Sequence, residues 1–129
     1  MTAPVLRVAR ASADLDALTP FWVDGAGFSV LARFEDHAGY DGLVLGHPQA
    51  PWHLEFVRHP DHPPATPSAE DLLVLYLPDR QAWRAATGRM EAAGHAPVPS
   101  ANPYWDAEGR TYADPEGRRL VLTRRAWSA

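Results

Sequence analysis

The sequence predicts an α+β domain made of two copies of a βαβββ module. The same order of strands and helices occurs twice along the 129 residues. The two copies are offset by about 65 positions, for the acidic residues that open the helices and for the strands "WHLEF" and "RRLVL". A proline-rich segment, "HPDHPPATPS", separates them. Because a chain of this length typically forms one domain, we expect residues 1–129 to fold as a single unit.

Module one, about residues 4–60, is predicted to contain four strands and one helix. Apolar and alternating runs indicate strands at Leu6–Ala9, Phe28–Phe34, Tyr40–Leu45 and Trp52–Arg58. Ser12 can cap the helix between the first two strands. Pro20 lacks a backbone N–H, so we expect either a kink at this residue or a new helix start with Thr19 as its cap.

A connection at about residues 59–69 leads to module two, at about residues 70–126. The connection cannot be a central strand, because proline does not donate to a hydrogen-bond ladder. Asp79 is the predicted cap of the second helix, which Gly94 and Pro97 end. The extended segments of this module are predicted at Leu72–Leu77, Ala96–Ser100, Thr111–Ala113 and Arg119–Thr123.

Alternation along the strands predicts that each sheet has one apolar face and one mixed face. The apolar face should pack under the helices. Its members are Leu54, Phe56, Leu73, Leu75, Leu77, Leu120 and Leu122. The mixed face includes His53, Glu55, Tyr76 and Val121. A mixed face with a few polar groups is typical of a small-molecule pocket.

The composition excludes several kinds of chemistry. The chain has no cysteine, so thiolate catalysis and cysteine metal sites are absent. All 12 basic residues are arginine, which excludes Schiff bases on lysine. A net charge of −4 argues against nucleic-acid binding, and no apolar run is long enough for a membrane span. We expect a cytoplasmic protein.

Two motifs connect the chain to a known superfamily. They are "FWVDGAGF" at 21–28 and "YADPEG" at 112–117, the second within the longer stretch "NPYWDAEGRTYADPEG". Together with the doubled βαβββ order, they resemble the vicinal oxygen chelate superfamily of glyoxalase I, extradiol dioxygenases and bleomycin-resistance proteins, and in particular a glyoxalase-like bacterial subgroup. The resemblance implies a concave small-molecule site formed by two half-barrels, and a homodimer.

The resemblance also implies where a metal would bind. Its metal enzymes take one ligand from the first and last strand of each module, and those positions fall here on Arg7, Glu55, Leu72 and Val121. Arginine does not deprotonate, and leucine and valine have no donor atom. We therefore expect no metal at this position, and predict that Arg7 and Glu55 form an ion pair in its place.

A relocated site is the alternative. His53 and Glu55 lie two residues apart on one strand, so both side chains share a face. With His59 and His62 of the connection, they could hold a divalent metal and support a lyase, isomerase or dioxygenase-like enzyme. His53 or Glu55 could instead serve as a general base without a metal. The sequence leaves open whether the protein is an enzyme.

The predicted ligand-binding residues combine these polar groups with aromatic ones. Tyr104 and Trp105 lie in a loop that could fold over the pocket, where aromatic rings can stack on a ligand. The full set is Arg7, His53, Glu55, Tyr76, Tyr104, Trp105 and Val121. The favoured function is binding of a metabolite or drug without a metal, in the manner of drug-sequestering resistance proteins.

Overall fold

The computed structural model describes residues 3–128, which form two β-sheets around one core. The first sheet has the order β1-β4-β3-β2 and the second the order β5-β7-β6. The strands are β1 (Leu6–Ala11), β2 (Ser29–His37), β3 (Tyr40–Gly46), β4 (Trp52–Arg58), β5 (Leu72–Tyr76), β6 (Gly109–Ala113) and β7 (Arg119–Thr123). In each sheet the first strand pairs in parallel with the last, and the remaining pairs are antiparallel. The predicted two-module α+β fold is confirmed.

The helix of module one restarts at Pro20, which is one of the two predicted outcomes, but it is not an α-helix. The segment forms a short 3₁₀ turn at Asp16–Leu18, followed by a π-helix at Pro20–Gly25. Pro20 occupies the first turn of the π-helix as expected, but Thr19 makes no side-chain capping bond. Because Pro20 has no N–H to continue an α-helical ladder, the chain restarts there, and the N–H of Ala26 donates to the carbonyl of Phe21 at 2.8 Å.

Module two contains α1 (Arg80–Ala92) and a one-turn helix, α2 (Tyr104–Ala107). Helix α1 begins as predicted, since the Asp79 carboxylate accepts a bond from the N–H of Ala82 at 2.9 Å. The predicted strand at Ala96–Ser100 is reduced to a single bridge between Val98 and Thr111. Pro97 and Pro99 flank Val98 and cannot donate backbone bonds, which prevents a longer ladder.

The core brings the helices of both modules together. It contains the apolar residues that strand alternation predicts at Leu54, Phe56, Leu120 and Leu122. Helix α1 packs against the π-helix, where a side chain on Gly25 would come within 2.8 Å of the sulfur of Met90. Glycine at this position therefore permits the close approach of the two helices.

A buried polar network connects the two motifs that carry the family resemblance. We call it the inter-module network, and its members are Ser12, Trp22, Asp114, Glu116 and Arg118. Asp114 accepts bonds from the indole N–H of Trp22 at 3.1 Å and from the Arg118 guanidinium at 3.0 Å. Arg118 also donates to the carbonyl oxygen at the end of β1, and Ser12 donates to Glu116. The turn between β6 and β7 is thereby attached to module one.

The network makes the stability of the fold depend on pH. Burial acts to raise the pKa of Glu116, but bonds from Ser12 and from the N–H of Ala13, together with the charge of Arg118, outweigh it and hold the pKa below 4.5. A carboxyl group with a lowered folded pKa adds stability above its unfolded pKa, and this stability is lost as the pH falls through the folded value. We expect the free energy of unfolding to decrease as the pH is lowered past about 4.5. Urea titrations between pH 3 and 7 would measure how the free energy of unfolding depends on pH. In Glu116→Gln, the part of this dependence that comes from Glu116 should be absent. An unchanged pH dependence in Glu116→Gln would contradict this role of Glu116.

Candidate functional site

The polar residues of module one lie on the sheet face that is turned away from the core. Along β4, His53 and Glu55 alternate with the buried Leu54 and Phe56. In the parallel pairing of β1 with β4, Arg7 is opposite His53 and Ala9 is opposite Glu55. We call this surface the open face of module one. Strands β1 and β4 therefore present the three predicted polar side chains together.

Arg7, His53 and Glu55 form a connected group, here called the Arg7 trio. The Nη1 atom of Arg7 lies 3.1 Å from Oε2 of Glu55, so the predicted ion pair is confirmed. The Nε–H of Arg7 donates to Nε2 of His53 at 2.9 Å, a bond that sequence analysis did not predict. The side chain of Glu55 is 15% exposed and that of Arg7 is 49% exposed, so the group is anchored in the sheet and accessible from solvent.

The bond from Arg7 selects one tautomer of the neutral histidine ring. Arginine is always a donor, so Nε2 of His53 must carry the lone pair. The proton of the neutral ring is then on Nδ1, which has no hydrogen-bond partner within residues 3–128. His53 therefore presents a donor to the open face, and its basic nitrogen is occupied by a cationic neighbour.

The four positions implied for a metal do not fit one. Arg7 lies two residues before Ala9, which is the β1 residue opposite Glu55. Leu72 lies two residues before Val74, which is opposite Val121. The four positions are thus equivalent in the two sheets. Glu55 alone has a suitable donor, and it is bonded to Arg7. Across the described chain, the histidine and acidic side chains form no group of three or more that could hold a metal ion.

The relocated metal site is not assembled either. Gly46 of β3 is opposite His53, whereas Asp41 is opposite Arg58, so His53 and the residues after Arg58 lie at opposite ends of β4. His59 and His62 instead pack on the ring of Tyr40, with centroids 4.6 and 6.0 Å from it. The expectation that these two histidines could join His53 and Glu55 is wrong, because the length of the strand separates them.

The corresponding face of module two is covered by its own chain. Thr111, Val121 and Thr123 are buried there. The segment 98–108 lies over them: Ser100 and Thr111 share a hydrogen bond of 2.6 Å, and Thr123 donates to the carbonyl of Glu108 at 3.3 Å. The two modules are therefore unequal, and the exposed polar group lies in module one. Val121 was predicted to line the pocket, and in the structure it is covered.

The predicted aromatic ligand contacts lie elsewhere in module two. Tyr76 ends β5, where its ring is 6.2 Å from that of Trp127. Tyr104 and Trp105 belong to α2, and the Arg125 guanidinium stacks 4.3 Å from the centre of the Tyr104 ring. Within residues 3–128, no hydrogen bond or ring contact joins these aromatic side chains to the Arg7 trio. Their role at a ligand stays a prediction.

An apolar cavity of about 210 Å³ lies between the two sheets. It was not predicted, because its walls come from strands of both modules. Its lining includes Leu6 and Val8 of β1, Trp52 and His53 of β4, and Leu73 and Leu75 of β5. The cavity adjoins β1, whose opposite side bears Arg7.

This architecture defines the class of protein. The two paired modules and the solved structures that share them place the chain in the vicinal oxygen chelate superfamily, among the glyoxalase and bleomycin-resistance-like proteins. The superfamily resemblance is thus confirmed. No helix within residues 3–128 is long and apolar enough to cross a membrane.

Within this class, the chain belongs to the YycE-like family. The family model of the YycE-like N-terminal domain matches residues 6–57, and that of the C-terminal domain matches residues 70–124. The YycE protein of Bacillus subtilis is 37% identical over 118 residues, which are 91% of this chain and 85% of that protein. The crystal structure of a Bacillus subtilis YycE protein of unknown function aligns with a TM-score of 0.85 and 34% identity, over 95% of this chain and 90% of that one.

Two more distant structures come from Streptomyces sp. CB03234. A glyoxalase/bleomycin resistance protein is 25% identical, with a TM-score of 0.62 over 94% of this chain and 99% of that one. TnmS3, an antibiotic binding protein, is 24% identical, with a TM-score of 0.65 over 98% of each chain. The likeness to TnmS3 concerns the fold.

Proposed function

We propose that this protein binds a small molecule, a metabolite or drug, on the open face of module one and without the usual metal of the superfamily. The observation that carries the proposal is the Arg7 trio. It stands where two metal ligands would be expected, and it leaves the open face with exposed hydrogen-bonding groups. Because arginine and carboxylate satisfy each other there, the group needs no metal to balance the charge of Glu55.

The same geometry disfavours the catalytic alternatives. A Lewis acid at this site would need at least three donors, and the described residues there offer the Glu55 carboxylate and the His53 imidazole, both already bonded to Arg7. A general base needs an accessible lone pair; that of His53 is bonded to Arg7, and Glu55 is paired with Arg7 and 15% exposed. No observation favours the lyase, isomerase or dioxygenase-like alternative over binding. Binding is also the activity in the name of TnmS3, which shares the fold.

A homodimer is part of the proposal. Leu6 begins β1, lines the apolar cavity and is 61% exposed, and Val5, just before it, is 63% exposed. Adjacent exposed apolar side chains beside an apolar cavity are typical of an interface. A second copy of the chain against these residues would cover them. Light scattering of the purified protein would give its mass, and a monomer at micromolar concentration would contradict this part of the proposal.

The first experiment is elemental analysis of tag-free protein from cells supplied with zinc, nickel, manganese and iron. We expect far less than one ion per chain. Near-stoichiometric metal that is lost in His53→Ala would overturn the metal-free proposal and establish the rebuilt metal site. Tryptophan-fluorescence titrations against drug and metabolite libraries would then test binding. The absence of any ligand would contradict the proposed function.

A further inference from the structure

The exposed polar atoms of the Arg7 trio are mostly hydrogen-bond donors. A guanidinium has five N–H bonds. Arg7 uses one toward His53 and one toward Glu55. Its other N–H bonds have no partner within the described residues, and half of the side chain faces solvent. The Nδ1–H of His53 adds another donor. The second oxygen of Glu55 is the one remaining acceptor, on a side chain that is 15% exposed.

Two of the residues that flank the trio, Ala9 and Gly46, are small. On the flanking strands, Ala9 and Val44 are opposite Glu55, and Arg7 and Gly46 are opposite His53. A side chain on Gly46 would come within 3.2 Å of Cβ of His53 and 3.3 Å of Leu31. Glycine there avoids a close contact with the base of the His53 side chain, and the partly exposed Leu31 lies beside it.

We infer that the ligand of this site presents acceptor oxygens, as in a carboxylate, phosphate or conjugated carbonyl group, to Arg7 and His53. This inference rests on the proposed function and adds the polar class of the ligand. Arginine is well suited to it, because its planar fork can give two parallel bonds to paired oxygens. Glu55 balances the charge of Arg7, so directional hydrogen bonds decide which ligand is preferred. A cationic ligand would meet donors of Arg7 and His53 that have no acceptor.

The position of the donor on His53 can be tested directly on the ligand-free protein. Nitrogen NMR of the histidine rings at neutral pH should show His53 with its proton on Nδ1. In Arg7→Met the ring loses this constraint, and its nitrogen shifts should move. A wild-type His53 protonated on Nε2 would overturn the inference, because Arg7 could not then donate to that atom.

Four matched probes test the preference for acceptors: naphthoate, acetylnaphthalene, naphthylmethylammonium and methylnaphthalene. They share one apolar ring system and differ in the polar group. We expect the two acceptor probes to bind roughly tenfold more tightly than the other two, as followed by NMR shifts of β1 and β4 amides. Arg7→Met should abolish this advantage. Arg10→Met is the matched control, since Arg10 lies on the same strand but on the opposite face.

The outcomes separate this inference from the proposed function. Equal binding of all four probes, or tightest binding of the ammonium, would overturn the acceptor class but leave a small-molecule site. Binding of no probe would overturn both. If the two acceptor probes bind more tightly, the effect of salt on their affinity distinguishes an anionic ligand from a neutral one. An advantage of naphthoate that falls with added salt indicates an anionic ligand, and equal binding of acetylnaphthalene indicates a neutral carbonyl.

Discussion

Replacing Asp114 with alanine is expected to lower the free energy of unfolding by about 3–5 kcal/mol. Asp114 is buried and accepts four bonds, from the indole of Trp22, the guanidinium of Arg118 and the backbone N–H groups of Glu116 and Arg118. Its removal leaves the nearly buried charge of Arg118 with Glu116 at 3.4 Å as its remaining acidic partner. Domains of this kind have a total stability of about 5–15 kcal/mol, so the loss is a large fraction of it.

Urea denaturation followed by circular dichroism would measure the change. Asp114→Asn should be less harmful than alanine, because the amide oxygen still accepts bonds while the charge is lost. Glu108→Gln is the control for an exposed pair: Glu108 lies 2.7 Å from Arg124 at the surface, and its loss should have no measurable effect. A change of less than about 1 kcal/mol in Asp114→Ala would show that the inter-module network contributes little to stability.

Replacing Trp22 with alanine should cost a similar amount, about 3–5 kcal/mol. The indole is fully buried and packs against the rings of Phe21, Phe28 and Phe56, with centroids 4.9, 5.7 and 5.6 Å away. Alanine would leave a cavity at the centre of these contacts and would remove the indole donor from Asp114. Trp22→Phe should recover most of the packing but not the hydrogen bond.

Trp127 provides a control of the same residue type. It is 72% exposed near the end of the described chain, so Trp127→Ala should change the free energy of unfolding by less than about 0.5 kcal/mol. Because Trp22 and Asp114 are bonded to each other, their effects should not add, and the double variant should be less destabilised than the sum. Additive losses would mean that the two residues act independently.

The pairing of Arg7 with Glu55 shows how far a site could be predicted from the sequence. Strand alternation placed Glu55 on the mixed face, and the family resemblance placed Arg7 at the same site, so the ion pair was predictable. The bond from Arg7 to His53 was not, because it depends on the register of a parallel pair whose residues are 46 positions apart. The first helix was predicted in position but not in type, since the effect of Pro20 on the hydrogen-bond pattern depends on its packing.

The sequence by itself determined the class of this protein and the residue types at the four positions where the resemblance implies metal ligands. Repeated element order and side-chain chemistry are local properties, so they can be read without coordinates. The tertiary structure decided which histidine meets Arg7, that His59 and His62 lie at the far end of β4, and that segment 98–108 covers one face of the second sheet. These outcomes depend on strand register and on how a loop packs back on its sheet, and both are set by contacts between residues distant in the chain.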